Sequence, residues 1–439
     1  MARWLDAHWE HSDLDMVPRA DRLFGPYRQY EPDLVTSRPL SLSPEANRAA
    51  TVAERAVREL ATGPGAEALE GLARFLLRSE AIASSLIEGI APSPQQVALA
   101  ELAQDEDVRG FSDQARLVAN NITVLRRAGE DLASGDAITV DDVEALHRAL
   151  LPDEEHHGLR RVQNWIGGSS WHPLSADFVP PPPELVPQLM DDLVEYLNGS
   201  VHAPLVQAGI VHAQFETIHP FTDGNGRVGR ALIHTVLTRR GLTPSAILPV
   251  SLVLATLRGR YVDGLTAYRY TAPPDSSEAA TAVAAWLDVF LHATTVAAEQ
   301  ARLFAGQVAD LQAEWEAKLA EHRAARGRRE TPRADSATSR ILRTLPEVPI
   351  LTTRTAQRRL GVSFPAARAA LEELADAGVL ARRSVERGTR GYTATDVFPW
   401  SRTQSGSWRA PAGTPAPPRP TARSPRLRTS EDAHSRAPC

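Results

Sequence analysis

The 439-residue sequence predicts an all-α protein with one small β-hairpin, then a compact unit of short helices and a hairpin, then a disordered end. Apolar residues recur at helical spacing in one segment after another, as in Val52, Val57 and Leu60, or Val283, Leu287, Phe290 and Leu291. Extended patterns are confined to two places, 163–180 and 379–393. The last stretch, 401–439, is rich in Pro, Ser and Arg, with seven arginines and two acids, and can build no core.

The chain is long enough for two or more domains, each with its own core. Its 43% hydrophobic content is ordinary for a soluble protein. The formal charge of −6 hides an asymmetry. Residues 336–439 carry 17 arginines against 8 acids, a net of +9, which leaves −15 for the rest. Cys439 is the single cysteine, so no internal disulfide can form, which fits a reducing cytoplasm. Charges near Met1 stand where a secretory signal needs an apolar core, and no run of 18 apolar residues exists. A cytoplasmic protein without a membrane partner is expected.

Residues 1–45 scatter Trp4, Trp9, Phe24, Tyr27 and Tyr30 among prolines and predict an arm packed on the next domain with little regular structure. Pro44 sits just inside a helix start after Ser43. That stripe stops at Gly63-Pro64-Gly65. The next helix, 69–87, ends at Gly89, a natural residue to follow a helix. Glu88 therefore places a carboxylate where a helix C-terminus repels it, unless a cation from elsewhere pairs with it. Ser84 lies four residues back, on the same face. Further helices are expected at 94–102, 113–127 and 139–150, the last with Thr139 and Asp142 as a capping box. His156 and His157 sit in an acidic loop without a third ligand at metal spacing, so no metal site is expected there.

Between 158 and 183 the helical pattern breaks. Residues 163–168 and 178–180 read as a hairpin, and its edge could take up an extended peptide. Residues 277–325 predict one or two long helices. From Leu303 the pattern is amphipathic and charged, suited to bridging or partner contact.

One stretch concentrates chemistry: His219-Pro220-Phe221-Thr222-Asp223-Gly224-Asn225-Gly226-Arg227-Val228-Gly229-Arg230, a loop between two helices. Gly224 and Gly226 free the backbone and bare a line of N–H groups. Such a turn feeding a helix N-terminus makes an anion nest. Arg227 and Arg230 add positive charge. Asp223 is a hard oxygen ligand suited to Mg²⁺ that arrives with a phosphate. His219 can take a proton near neutral pH. A Walker-type loop is excluded, since the only lysine is Lys318. The combination points to nucleotide phosphate chemistry.

This stretch resembles the signature of the Fic family at every fixed position. Fic proteins are mostly protein adenylyltransferases, which move AMP from ATP to a hydroxyl of a target protein. The resemblance implies His219 as general base, Phe221 as buried anchor and Asp223 as Mg²⁺ ligand. It implies a nucleotide cradle of Gly224, Asn225, Gly226, Arg227, Val228, Gly229 and Arg230. Ser84, Glu88 and Gly89 are similar to the family's inhibitory motif, in which the Glu pairs with the last signature arginine, here Arg230. The hairpin resembles the family's flap, with Ile166, Gly167 and Gly168 as target-docking residues. Tyr261 is a candidate adenine contact, or equally a core tyrosine.

The expected domains are an arm at 1–45, a Fic domain at 46–275 with its inhibitory helix at about 69–89, a helical connector at 276–330, an end unit at 335–398 and the tail at 401–439. Three helices and a hairpin at 335–398 give a winged helix-turn-helix pattern. Arg354, Arg358, Arg359, Arg368, Arg382, Arg383, Arg387 and Arg390 could meet DNA phosphates, while Glu372 and Glu373 weigh toward protein docking or a homodimer. The expected function is transfer of AMP from Mg-ATP to a Ser, Thr or Tyr hydroxyl of a protein, the enzyme itself included. Two rivals remain: removal of AMP or transfer of another phosphorus-containing group at the same site, and a DNA-binding regulator that senses nucleotide.

Overall fold

The computed structural model describes residues 1–11, 17–37, 42–62, 72–153, 157–199, 202–243, 247–386 and 389–398. The tail at 401–439, the Gly63-Pro64-Gly65 stop, His156 and the turn at 387–388 lie outside the described residues.

The N-terminal arm is more regular than its sequence suggests. Strand β1 (Arg3–Trp9) pairs antiparallel with β2 (Gly25–Glu31), Trp4 opposite Tyr30. Leu5-Asp6-Ala7-His8-Trp9 does alternate apolar and polar residues, but over five positions only, and β2 shows no matching period; the cross-strand aromatic contact holds the two together, Trp4 and Tyr30 meeting edge to face at 5.1 Å. Tyr30 also donates its N–H to the Val179 carbonyl at 3.0 Å, so the arm does pack on the segment that follows the helices.

The helical body follows the expected segments. Its helices are α1 (Pro44–Thr62), α2 (Ala73–Ile87), α3 (Pro94–Ala103), α4 (Asp113–Arg127), α5 (Val140–Leu150), α6 (Val186–Gly199), α7 (Pro204–Ile218), α8 (Asn225–Arg239), α9 (Val250–Thr256) and α10 (Arg258–Tyr268). The Thr139–Asp142 capping box forms at the start of α5. Every residue of α7 is buried, so this helix is the axis around which α1, α6, α8, α10 and the next helix pack.

That next helix, α11, runs unbroken over Ser277–Ala324. At 1.5 Å per residue its 48 residues reach about 70 Å. Its first half is not a connector, contrary to the expected boundary at 276. It packs on α1, α7, α9 and α10, and Trp286 is fully buried with its indole N–H on the Gly209 carbonyl at 2.8 Å. By length and composition α11 is the one described helix that could cross a bilayer, and half of its apolar window is buried inside the fold, the place of a core helix.

The second half of α11 bridges to the end unit. Trp315 is buried there, and Arg323 pairs with Glu373 at 2.7 Å. The end unit comprises α12 (Ala337–Thr344), β3 (Ile350–Thr352), α13 (Thr353–Leu360), α14 (Phe364–Asp376), β4 (Ala381–Glu386) and β5 (Thr389–Thr393), with an antiparallel sheet ordered β3-β5-β4. Strand β3 is unforeseen, since three residues are too few to show a period. Ser336, Thr352 and Ser363 cap its three helices with their side chains.

The unit is docked on the body. Glu106, just beyond α3, accepts hydrogen bonds from the Thr352 and Thr355 hydroxyls and from Arg358. Arg78 of α2 donates to the Glu347 carbonyl at 2.7 Å. Several arginines expected to face phosphates are thus held by carboxylates of the same chain: Arg358 by Glu106, Arg359 by Asp105, Arg382 and Arg390 by Glu372.

The expected flap hairpin shrinks to a single bridge, Ile166 to Phe178. Gly167 and Gly168 both take positive φ, which turns the chain out of extended geometry at once, and the Val179 carbonyl bonds to Tyr30 of β2 instead.

The α7–α11 contact is tight at Gly209, where an added Cβ would come within 2.9 Å of the Phe290 ring. Gly209→Val should overpack this contact and cost roughly 1–3 kcal/mol. Thermal unfolding should show a midpoint several degrees lower; an unchanged midpoint would contradict the packing.

Candidate functional site

Helix α7 ends at Ile218 because His219 turns left-handed, with φ 51° and ψ 59°. The loop is then pinned from inside. The Asn225 side chain accepts from the Phe221 N–H and donates to the Phe221 carbonyl, both at 2.8 Å. The Phe221 ring is fully buried and stacks on His147 at 4.1 Å. His147 in turn donates from Nε2 to the Asp223 carbonyl at 3.2 Å. Burial pushes the His147 pKa down to about 4, so it serves as a neutral donor. Gly224, at φ 77°, then starts α8 without any side-chain cap. The uncapped first turn of α8 is an anion seat.

Glu88 fills that seat. A Cβ added at Gly226 would lie 2.0 Å from Glu88 Oε1, so the carboxylate rests directly on the first turn of α8. Arg230 donates to the same oxygen at 2.7 Å, and also to the Ser84 hydroxyl at 2.9 Å and the Ser84 carbonyl at 2.8 Å. Arg230 is 1% exposed, whereas Glu88 keeps about a third of its surface in solvent, 32%. Burial works against the charged form of Glu88. The Arg230 guanidinium outweighs it, helped by Arg227, and the carboxyl sits below its ordinary pKa. Gly89, at φ 78°, ends α2 as its sequence position suggests.

Other groups face the seat with bonding capacity to spare. Arg227 is buried, and its Nε and Nη1 have no partner among the described residues; its Nη2 lies 3.6 Å from the Asp223 carboxylate. Burial, reinforced by Arg160, pushes the His219 pKa down to about 3, so its imidazole is neutral. Asp223 is two-thirds exposed, at 67%. Among the described residues no cluster of three or more His, Cys, Asp or Glu could hold a metal alone. One exposed carboxylate fits an ion that arrives already bound to phosphate, and does not fit a protein-built metal site.

Three residues expected to contact nucleotide are packed inside the fold. Val228 is wholly buried, and Gly229 packs against Phe215 and Glu216 of α7, so both serve helix packing. Tyr261 is a core residue: it is 4% exposed, and its hydroxyl lies 2.8 Å from His212 Nε2. Ile166, Gly167 and Gly168 sit at the bridge described above.

Four residues escape the sequence reading. His147 supports Phe221 and Asp223. Arg160 and Asn164 bond the carbonyls around His219. Glu216 is buried with Oε1 unpartnered, and burial raises its pKa to about 7. Only Glu216 had a local signal, lying three residues before His219.

A buried arginine pair, a left-handed neutral histidine and an uncapped helix start between two core helices define a site for an anionic phosphate. Residues 137–237 match the Fic/DOC family model. Similar curated proteins are the protein adenylyltransferase fic-1 of Caenorhabditis elegans, 35% identical over 121 residues, and a probable protein adenylyltransferase of Aquifex aeolicus, 47% identical over 68 residues. These alignments cover 26% and 15% of this chain and 22% and 21% of those proteins, so the chain matches about a fifth of their length. Among solved structures, a Fic family protein from Desulfovibrio desulfuricans is 25% identical, with a TM-score of 0.49, covering 82% of this chain and 98% of that one.

The Glu88–Arg230 pair should be measurable in stability. Urea unfolding of wild type, Glu88→Ala, Arg230→Ala and the double variant should give a coupling of about 1–2 kcal/mol, limited by the partial exposure of Glu88. Strictly additive losses would mean that the pair does not form.

Proposed function

We propose that this protein transfers AMP from Mg-ATP to a Ser, Thr or Tyr hydroxyl of a protein, and that Glu88 holds the reaction in check. The observation that carries this is the Glu88 carboxylate on the α8 anion seat, bonded to Arg230. A seat that takes a carboxylate takes a phosphate by the same amides and the same guanidinium. The names of the similar proteins support the choice of adenylyl transfer within phosphate chemistry.

In this reading His219 accepts the proton of the target hydroxyl. The hydroxyl oxygen bonds to the α-phosphorus while the bond from that phosphorus to the β-phosphate oxygen breaks, and pyrophosphate leaves. Arg227 and Arg230 hold the β/γ end, and the first-turn amides of α8 hold the inner phosphates. Asp223 would hold the Mg²⁺, which neutralises phosphate charge when bound. With Glu88 on Arg230 the γ-phosphate is displaced, and the α-phosphate is turned from in-line attack.

The end unit fits a docking role better than a DNA-reading one. Arg382 and Arg390, on its hairpin, are occupied by Glu372, the acid on the would-be recognition helix.

Two outcomes test the reading, with labelled ATP, Mg²⁺ and the protein as its own substrate. Glu88→Gly should raise labelling by one to two orders of magnitude, which is about 1.4–2.8 kcal/mol. Adding Arg230→Ala should abolish that gain. Labelling equal to or below wild type would instead favour Glu88 as a residue that aligns water to remove AMP. In the Glu88→Gly background, His219→Ala should slow transfer by about 10²–10⁴-fold while ATP still binds, because the nest is backbone. Transfer at the parent rate would reject His219 as the base.

A further inference from the structure

We propose that Arg160 is a positioning residue: it holds His219 in its left-handed conformation and ties that conformation to the flap segment. The inference rests on the reading of His219 as the base.

His219 is the only non-glycine among the described residues with positive φ. A side chain with a Cβ disfavours that region, so the surroundings must impose it. The ring itself supplies little hold. Its buried Nδ1 has no hydrogen-bond partner among the described residues. A histidine is commonly oriented through the nitrogen that does not react, and here that anchor is weak.

The backbone is held instead. Three consecutive carbonyls turn toward Arg160. Its Nη2 donates to Ile218 at 3.3 Å, its Nε to His219 at 2.9 Å and its backbone N–H to Pro220 at 2.8 Å. The same guanidinium reaches the two sides of the flap segment, the Val162 carbonyl at 3.2 Å and the Pro181 carbonyl at 2.5 Å. Asn164 adds bonds to the His219 carbonyl at 3.3 Å and the Phe221 carbonyl at 2.9 Å.

Arg160 is 3% exposed, and among the described residues no carboxylate lies within ion-pair distance of it. A guanidinium buried among carbonyl dipoles is an expensive way merely to fill space, and its charge is disfavoured accordingly, the pKa falling to about 10 through burial. Only a planar fork with several donors can gather this many carbonyls, which a lysine ammonium cannot match. The geometry makes the flap and the base one mechanical unit. A segment seated on the flap would load the carbonyls of Val162 and Pro181, and through the fork that of His219.

The test uses full-length protein in the Glu88→Gly background, with labelled ATP and MgCl₂. Self-labelling rate and ATP affinity are measured separately. Arg160→Lys and Asn164→Ala should each lower the rate by about tenfold, and Arg160→Ala by about 10²-fold, the scale of a misplaced reacting group. ATP affinity should not change. Arg160→Lys combined with His219→Ala should lose nothing beyond His219→Ala alone. A purely structural role would lower ATP affinity together with rate and would deepen the His219→Ala defect; either result overturns the proposal, as does a Lys variant at parent rate. Should Arg160→Ala fail to fold, Arg160→Lys and Asn164→Ala decide. If His219→Ala itself labels at parent rate, the base assignment falls and this inference with it; if only the Arg160 and Asn164 variants are indifferent, the base assignment stands alone.

Discussion

The structure depends on one pairing: a carboxylate seated on an uncapped helix start and a buried guanidinium. The first turn of α8 offers uncapped amides, and Arg230, buried beside it, needs an anion. Glu88 supplies one, at a helix C-terminus where its charge would otherwise be unfavourable. Two local problems, an acid at the wrong helix end and a guanidinium without water, thus solve each other. Partial exposure of Glu88 keeps the pair replaceable, since a deeply buried pair would cost far more to open.

That contact ties α2 to the site. Toward α8 it presents a ladder of polar rungs: Glu88 and Ser84 on Arg230, then Glu80 on His234 and on Ser251 of α9. Glu80 is wholly buried, and these partners satisfy its two oxygens. On its other side Arg78 binds Glu101 of α3 and the Glu347 carbonyl of the end unit. Helix α2 is therefore clamped between the anion seat and the end unit that α11 carries.

Much of this was legible because helices are local. Apolar spacing gave α1, α3 to α5 and α11, and paired Ser, Thr and Asp residues gave the caps. The signature loop was legible because its chemistry lies within twelve residues, and its glycines have local reasons. The strands were poorly legible. Strands β1 and β2 meet only through pairing, β3 is three residues long, and the flap loses its strand character to Gly167 and Gly168.

The sequence by itself determined the loop, its Asp223 and His219, and the oddly placed Glu88, since each is a matter of residue type at short spacing. Tertiary structure alone decided the rest. It put Glu88 on Gly226, 138 positions away, and it closed Arg160 and Asn164 over the His219 carbonyl from 59 and 55 positions away. It sent Tyr261 into the core and made the first half of α11 part of the body. The physical reason is the same in each case. A carbonyl has no side chain to announce it, and an arginine's partner is fixed by which surfaces the packed helices bring together.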